Sequence, residues 1–183
     1  MRAAAKRNGT AMVLLAVCAS AAHAKSIQYR NEEFGFTVQI PSEYKVCTAL
    51  SGDHPHGFYY NLSTSIGCSR SPAKSRVSTI SIYASYNVLN DSLVGSAPSG
   101  CRKYAFDGIP KQPGRLFAGN AYSCIVRNSD GSVNLNVVMQ KRIKSSDADP
   151  DVNSINYLAS LHSYPQNLRR DSAKFAEFLS SVK

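Results

Sequence analysis

Apolar and polar positions alternate over most of this chain. Phe34, Phe36, Val38 and Ile40 share one side, Gly35, Thr37 and Gln39 the other, and Pro41 closes the run. Phe58, Tyr60 and Leu62 repeat the pattern after Gly57. Ile80, Ile82, Ala84, Tyr86 and Val88 alternate with Thr79, Ser81, Tyr83, Ser85 and Asn87, which predicts a long strand. Another strand is predicted from Leu116 through Ala118, Tyr122 and Cys124 to Val126. Val133, Leu135, Val137 and Met139 return after Asn128-Ser129-Asp130-Gly131, and an Asp-Gly turn between two alternating runs is a hairpin signal. Ile155, Tyr157, Ala159 and Leu161 suggest the last strand.

The period then changes. Leu168, Phe175, Phe178, Leu179 and Val182 recur at helical spacing, with Arg169, Arg170, Lys174 and Glu177 on the wet side. Asn167 or Asp171 could cap that helix. Segments 89–114, rich in Gly, Ser and Pro, and 144–153, rich in Ser and Asp, read as surface loops. The expected class is α+β: an antiparallel sheet of five to seven strands with a C-terminal helix packed on it, an α/β/α sandwich being one form of it.

The first 24 residues belong to a different order of signal. Arg2, Lys6 and Arg7 precede a twelve-residue apolar stretch, Ala11 to Ala22, and Ala22-His23-Ala24 supplies a small-x-small cleavage pattern. A membrane span needs about 20 apolar residues, so the segment reads as a cleavable signal peptide. A lipoprotein linked through Cys18 is the alternative, disfavoured because Val17 stands where a small residue is wanted. On this reading residues 25–183 form one exported domain, periplasmic or secreted, with no transmembrane segment left after cleavage. The leader takes three of the 21 basic residues and none of the 12 acidic ones, leaving 159 residues and a net charge of +6.

Cleavage also removes Cys18 and leaves Cys47, Cys68, Cys101 and Cys124 for an oxidising compartment. Three pairings are possible on sequence alone. Cys47–Cys68 with Cys101–Cys124 is preferred, because each closes a loop of roughly twenty residues worth about 3 kcal/mol in the chain-entropy model. No C-x-x-C spacing favours zinc.

Tyr29-Arg30-Asn31, Phe34-Gly35-Phe36 and Ile40-Pro41, together with the Phe-bearing helix around Phe175 to Leu179, resemble the two ends of PsbP-like α/β/α sandwich domains. That resemblance implies a fold, and members that bind partner proteins more often than they catalyse. The chain is also similar in type, though not in motif, to small periplasmic immunity proteins, which are exported, disulfide-stapled and non-catalytic.

Candidate chemistry centres on Asp53-His54-Pro55-His56-Gly57. Two imidazoles two residues apart on extended backbone can face one side, and Asp53 could add a third ligand for copper or zinc. A polar turn before the strand at Phe58 is preferred, since His162 is the only other histidine outside the leader. Asp147, Asp149, Asp151 and Asn153 imitate calcium-loop spacing, but Val152 stands at the glycine position and Leu158 at that of the bidentate Glu. Gly95-Ser96-Ala97-Pro98-Ser99-Gly100 lacks the G-x-S-x-G spacing of a nucleophile elbow. Four cysteines that can all pair leave no free thiolate.

The basic residues are dispersed and form no run with interleaved aromatics, so nucleic acid is not an expected partner. An acidic protein or an anionic envelope polymer suits the charge better. Tyr59, Tyr83 and Tyr104 fall at outward or loop positions, where tyrosine often serves an interface. The bacterial source is inferred from the compact leader; a eukaryotic secreted protein could be glycosylated at Asn61 or Asn90. The expectation is a non-enzymatic exported domain without a cofactor, acting by protein–protein contact, with an inhibitor or immunity protein of the periplasm as its sharpest version. The alternative is a small envelope hydrolase or metal-binding protein built on Asp53, His54 and His56.

Overall fold

Period-two alternation produces two sheets in the computed structural model, which describes residues 25–48, 56–64, 67–68, 76–143 and 152–183. The chain order is β1 (Ser26–Asn31), β2 (Phe36–Pro41), β3 (Val46–Thr48), β4 (Gly57–Asn61), β5 (Thr79–Tyr86), β6 (Arg102–Lys103), β7 (Tyr122–Arg127), β8 (Val133–Arg142), β9 (Ser154–Ser163) and α1 (Leu168–Ser181). β1 and β2 form a separate two-stranded ribbon, and the other seven strands form one sheet in the order β3-β4-β5-β9-β8-β7-β6. Every pairing is antiparallel. The architecture is α+β, with the helix laid on the sheet.

The 128–132 hairpin forms where expected. Gly131 takes φ 82° and its N–H donates to the Asn128 carbonyl at 3.1 Å. Glycine reaches that left-handed backbone without the Cβ clash other residues suffer. Gly57 has another reason to be glycine: a Cβ there would overlap the Ile82 carbonyl of the neighbouring strand.

Parity along the strands sets the first face of the sheet. Leu135 pairs Leu161, which pairs Ile80, which pairs Tyr60; Val137, Ala159, Ile82 and Phe58 make the next row. All eight are buried. Fully burying a side chain such as Leu or Phe stabilises by about 1.5–3 kcal/mol, so this face fixes the register.

Three pieces cover it. The ribbon brings Tyr29 to 4.4 Å from Phe58, between ring centres, and Phe36 edge-on to Tyr157 at 6.1 Å. From α1, Phe178 meets Phe58 and Tyr60, and Phe175 stacks on Phe106 at 5.7 Å. The tail after α1 joins both, because Lys183 exchanges backbone hydrogen bonds with Thr37 and Val182 accepts from Leu116. The Tyr157 hydroxyl donates to the Phe34 carbonyl at 2.7 Å, and burial pushes its pKa up to about 12.

Several boundaries differ from those the alternation predicts. Tyr29-Arg30-Asn31 belongs to a strand of its own, and Phe34 sits in the turn before β2, still buried. The run from Leu116 is not one strand. Leu116 and Phe117 make a turn that packs into the core, and the ladder begins only at Tyr122. Within segment 89–114, Phe106 and Ile109 pack against the core and Pro110 is buried, so its second half is a lid rather than a surface loop.

Asn167 is the N-cap by position, but its side chain makes no capping hydrogen bond. Asp171, in the first turn, is fully buried. Its Oδ2 accepts from the Ser163 hydroxyl at 2.7 Å and its Oδ1 from Arg170 Nε at 3.0 Å, which pins the helix start to the end of β9. Asp171→Ala leaves the Ser163 hydroxyl buried without its carboxylate partner and should cost about 2 kcal/mol, a fall in Tm of about 4–8 °C. Arg170 is largely exposed, so Arg170→Ala should cost under about 1 kcal/mol. Equal losses for the two variants in thermal denaturation would contradict this assignment.

Candidate binding surface

The other parity makes a different face. Cys47, Tyr59, Ser81, Ser160, Asn136 and Cys124 are successive cross-strand partners, one row running from β3 to β7. Cys47 is bonded to Cys68 and Cys101 to Cys124, at sequence separations of 21 and 23. The two bridges therefore anchor chain to the same face, at its two margins.

Between them the row is polar and satisfied. The Ser160 hydroxyl donates to Asn136 Oδ1 at 2.7 Å, and Asn136 Nδ2 reaches Cys101 Sγ at 3.5 Å and the Asn134 carbonyl at 3.3 Å. One row away, Tyr83, Leu158, Val138 and Tyr122 line up. Burial, and then the neighbouring Tyr59, raise the Tyr83 pKa above the ordinary phenol value.

Segment 87–101 crosses this face as a strap, from the end of β5 over β9 and β8 to Cys124 on β7. Asn87 follows β5 and is buried. Its Nδ2 donates to the Asp91 carbonyl and to Ser154 Oγ, both at 3.0 Å, while its Oδ1 accepts from the Asp91 N–H at 3.0 Å. Gln140, from β8 below, donates to the same Asp91 carbonyl at 2.8 Å and to Ser96 Oγ at 3.0 Å. Ser92 closes the next turn, accepting from Gly95 N–H on its hydroxyl and from Ser96 N–H on its carbonyl. The sequence between Asn87 and Cys101 thus folds on its own side chains and on β8, with little apolar burial of its own.

What the strap does with its apolar residues is unusual. Val88 is 62% exposed, Leu89 79% and Val94 59%, with Tyr86 at 40% just before them. Of the six large apolar side chains left exposed among the described residues, these four fall within nine positions. Lys141 and Arg142 stand exposed at the adjoining end of β8, where Lys141 pairs Ile155 and Arg142 pairs Ser154. A cleft of about 680 Å³ opens beside the strap, bounded by Asn90, Asn120, Arg142 and Asn153.

Of the candidate metal ligands, Asp53 and His54 lie outside the described residues. His56 is exposed, its Nδ1 3.2 Å from the Ala84 carbonyl and its ring 5.3 Å from that of Phe34. Asp147, Asp149 and Asp151 also lie outside the described residues, and Asn153 bounds the cleft. Among the described residues no three His, Cys, Asp or Glu side chains converge as a metal site. Ser96 sits in a turn braced by Ser92 and Gln140, not between a strand and a helix. Tyr59 and Tyr83 are half-buried on the second face and Tyr104 is exposed. Asn61 is buried with its Nδ2 on the Gly67 carbonyl, whereas Asn90 is exposed.

Sequence reading missed the strap because Val88 continues the parity of β5. The available signal was the break at Asn87-Val88-Leu89-Asn90, where two aliphatics adjoin between two asparagines.

No protein-family model matches the chain, and no curated protein does. Among solved structures it is similar to the solution structure of cyanobacterial PsbP (CyanoP) from Synechocystis sp. PCC 6803. The identity is 12% and the TM-score 0.47, over 92% of this chain and 98% of that one. No helix among the described residues is long and apolar enough to cross a membrane.

His162 marks the sheet end remote from Val88. Its Nδ1 is 2.8 Å from Asn134 Oδ1, which can only accept, so Nδ1 carries the proton. Nε2 is buried with no hydrogen-bond partner among the described residues. Burial lowers the pKa, against a smaller opposing pull from Asp130. The unfolded chain therefore binds this proton at higher pH than the folded one, and stability falls as pH drops below the ordinary histidine value. Tm should decline between about pH 7.5 and pH 5.5, and His162→Gln should make that decline shallower. An identical pH profile for the variant would contradict this environment.

Proposed function

We propose that residues 1–24 are a cleaved export signal and that the remaining chain is a non-enzymatic binding domain, periplasmic or secreted, acting by protein–protein contact. In its sharpest form it is an inhibitor or immunity protein whose strap enters the concave site of a partner. The observation that carries this reading is the group of exposed aliphatic side chains on a segment held by Asn87, Gln140 and the Cys101–Cys124 bridge. Water-exposed aliphatics gathered on one short segment cost solvation, and a braced backbone has already lost the entropy that binding would otherwise remove.

The partner chemistry follows from the same surface. Val88, Leu89 and Val94 require an apolar cleft, and Arg142, which shares the strap's face of β8, favours acidic groups at its rim. A bilayer suits the strap less well, because Asn90 and Asp91 interrupt the aliphatics where an interfacial segment needs a continuous apolar face.

The test is recovery of a partner from envelope extracts on the oxidised mature protein, followed by a binding titration with that partner purified. Leu89→Asp should weaken the complex at least about 30-fold, in keeping with loss of a central apolar anchor, while leaving Tm unchanged. Arg102→Ala, on the edge strand, should leave affinity within about threefold. A partner whose affinity is indifferent to Leu89→Asp would rule out the strap as the docking element.

A further inference from the structure

The cleft beside the strap has a built floor and an unspent rim. Its floor is Asn87, Ser154 and Gln140, already bonded to one another through the Asp91 carbonyl and Ser154 Oγ. That floor cannot shift without breaking the strap. On the rim, no hydrogen bond or ion pair to another described residue engages the side chains of Asn90, Asn120, Arg142 and Asn153. They converge on a space of about 680 Å³, within the range of small-molecule sites.

The chemistry of the rim is selective. Carboxamides dominate it, and each offers an acceptor oxygen beside a two-proton donor. Arg142 and Asp91 contribute one charge of each sign, so the cleft holds neither anions nor cations by net charge. A ligand that pairs with such a rim must donate and accept from neighbouring atoms, as vicinal hydroxyls do. Leu93 and Ile143 add apolar surface in the same cleft, suited to the C–H face of a ring. A carboxylate, which only accepts, would pair with Arg142 and the carboxamide N–H groups and leave the carboxamide oxygens unmatched.

We propose that this cleft is a saccharide-binding site, taking one or two rings of a neutral, polyhydroxylated chain. Asn120, Asn153 and Arg142 hold its hydroxyls, and Leu93 and Ile143 lie against the ring. The site is argued apart from the protein-docking reading: Arg142 serves both, but Val88, Leu89 and Val94 do not line the cleft.

The experiment is an amide-shift titration of the ¹⁵N-labelled, oxidised mature protein with cellotetraose, maltotetraose and the β-1,4-linked tetramer of N-acetylglucosamine. Sodium sulfate and sodium glutamate serve as anion controls. At least one tetrasaccharide should move amides of residues 90–93, 120, 140–143 and 153 saturably at millimolar concentration. The Asn120→Ala/Asn153→Ala double variant, exposed at both positions, should weaken that binding roughly tenfold or more at unchanged Tm. Asn90 is left intact because its φ of 53° is tolerated by asparagine better than by alanine. If that variant is poorly folded, Arg142→Gln replaces it and should weaken the same saccharide by at least about threefold. Silence with all three tetrasaccharides overturns the proposal. So do the same shifts with sulfate or glutamate, and so does unchanged affinity in the folded variants.

Discussion

Everything in this fold depends on which parity a residue holds along β5, β8 and β9. Odd-numbered positions of β8 and β9 and even-numbered positions of β5 turn inward under the ribbon, the helix and the C-terminal tail. The opposite parity carries Ser81, Ser160, Asn136 and both disulfide-bonded strand cysteines. A slip of one residue would bury those polar groups and expose Leu135, Val137 and Leu161 at once. The apolar face therefore does more than stabilise: it leaves a second face on which chain can be strapped and displayed.

The strap is the consequence. It has few apolar contacts with which to hold itself down, so its position rests on polar geometry: a buried asparagine, a glutamine from the strand beneath and one disulfide. Each of these removes freedom from the chain rather than adding apolar burial. Its aliphatic side chains are consequently free to face water, and the cleft beside it inherits a rigid floor. Braced display and a polar cleft are two results of one arrangement. The oxidised state matters to both, because the Cys101–Cys124 bridge ties the strap's end to β7.

The legible part of this architecture was the part governed by periodicity. β5, β8, β9, the Asp-Gly hairpin and α1 follow from spacing alone, and the α+β class follows from their order. The ribbon was less visible because β1, with the sequence Ser-Ile-Gln-Tyr-Arg-Asn, alternates without a run of strong apolar residues. Leu116 misled because, with Phe117, it lies in a turn that buries itself from outside the sheet. The strap was hidden for a physical reason: its shape comes from side-chain-to-backbone hydrogen bonds, which have no period. Asp171 was visible as a possible cap, but its burial against Ser163 depends on where β9 ends and could not be read locally.

Segment 88–96 is thus held in one conformation before any partner arrives. Backbone ¹⁵N relaxation of the oxidised mature protein measures this directly. Order parameters of about 0.85 are expected for Leu89 through Ser96, equal to those of β8, with a fall below about 0.6 when Cys101 and Cys124 are both replaced by serine. Order parameters below about 0.6 across the strap in the intact protein would contradict it.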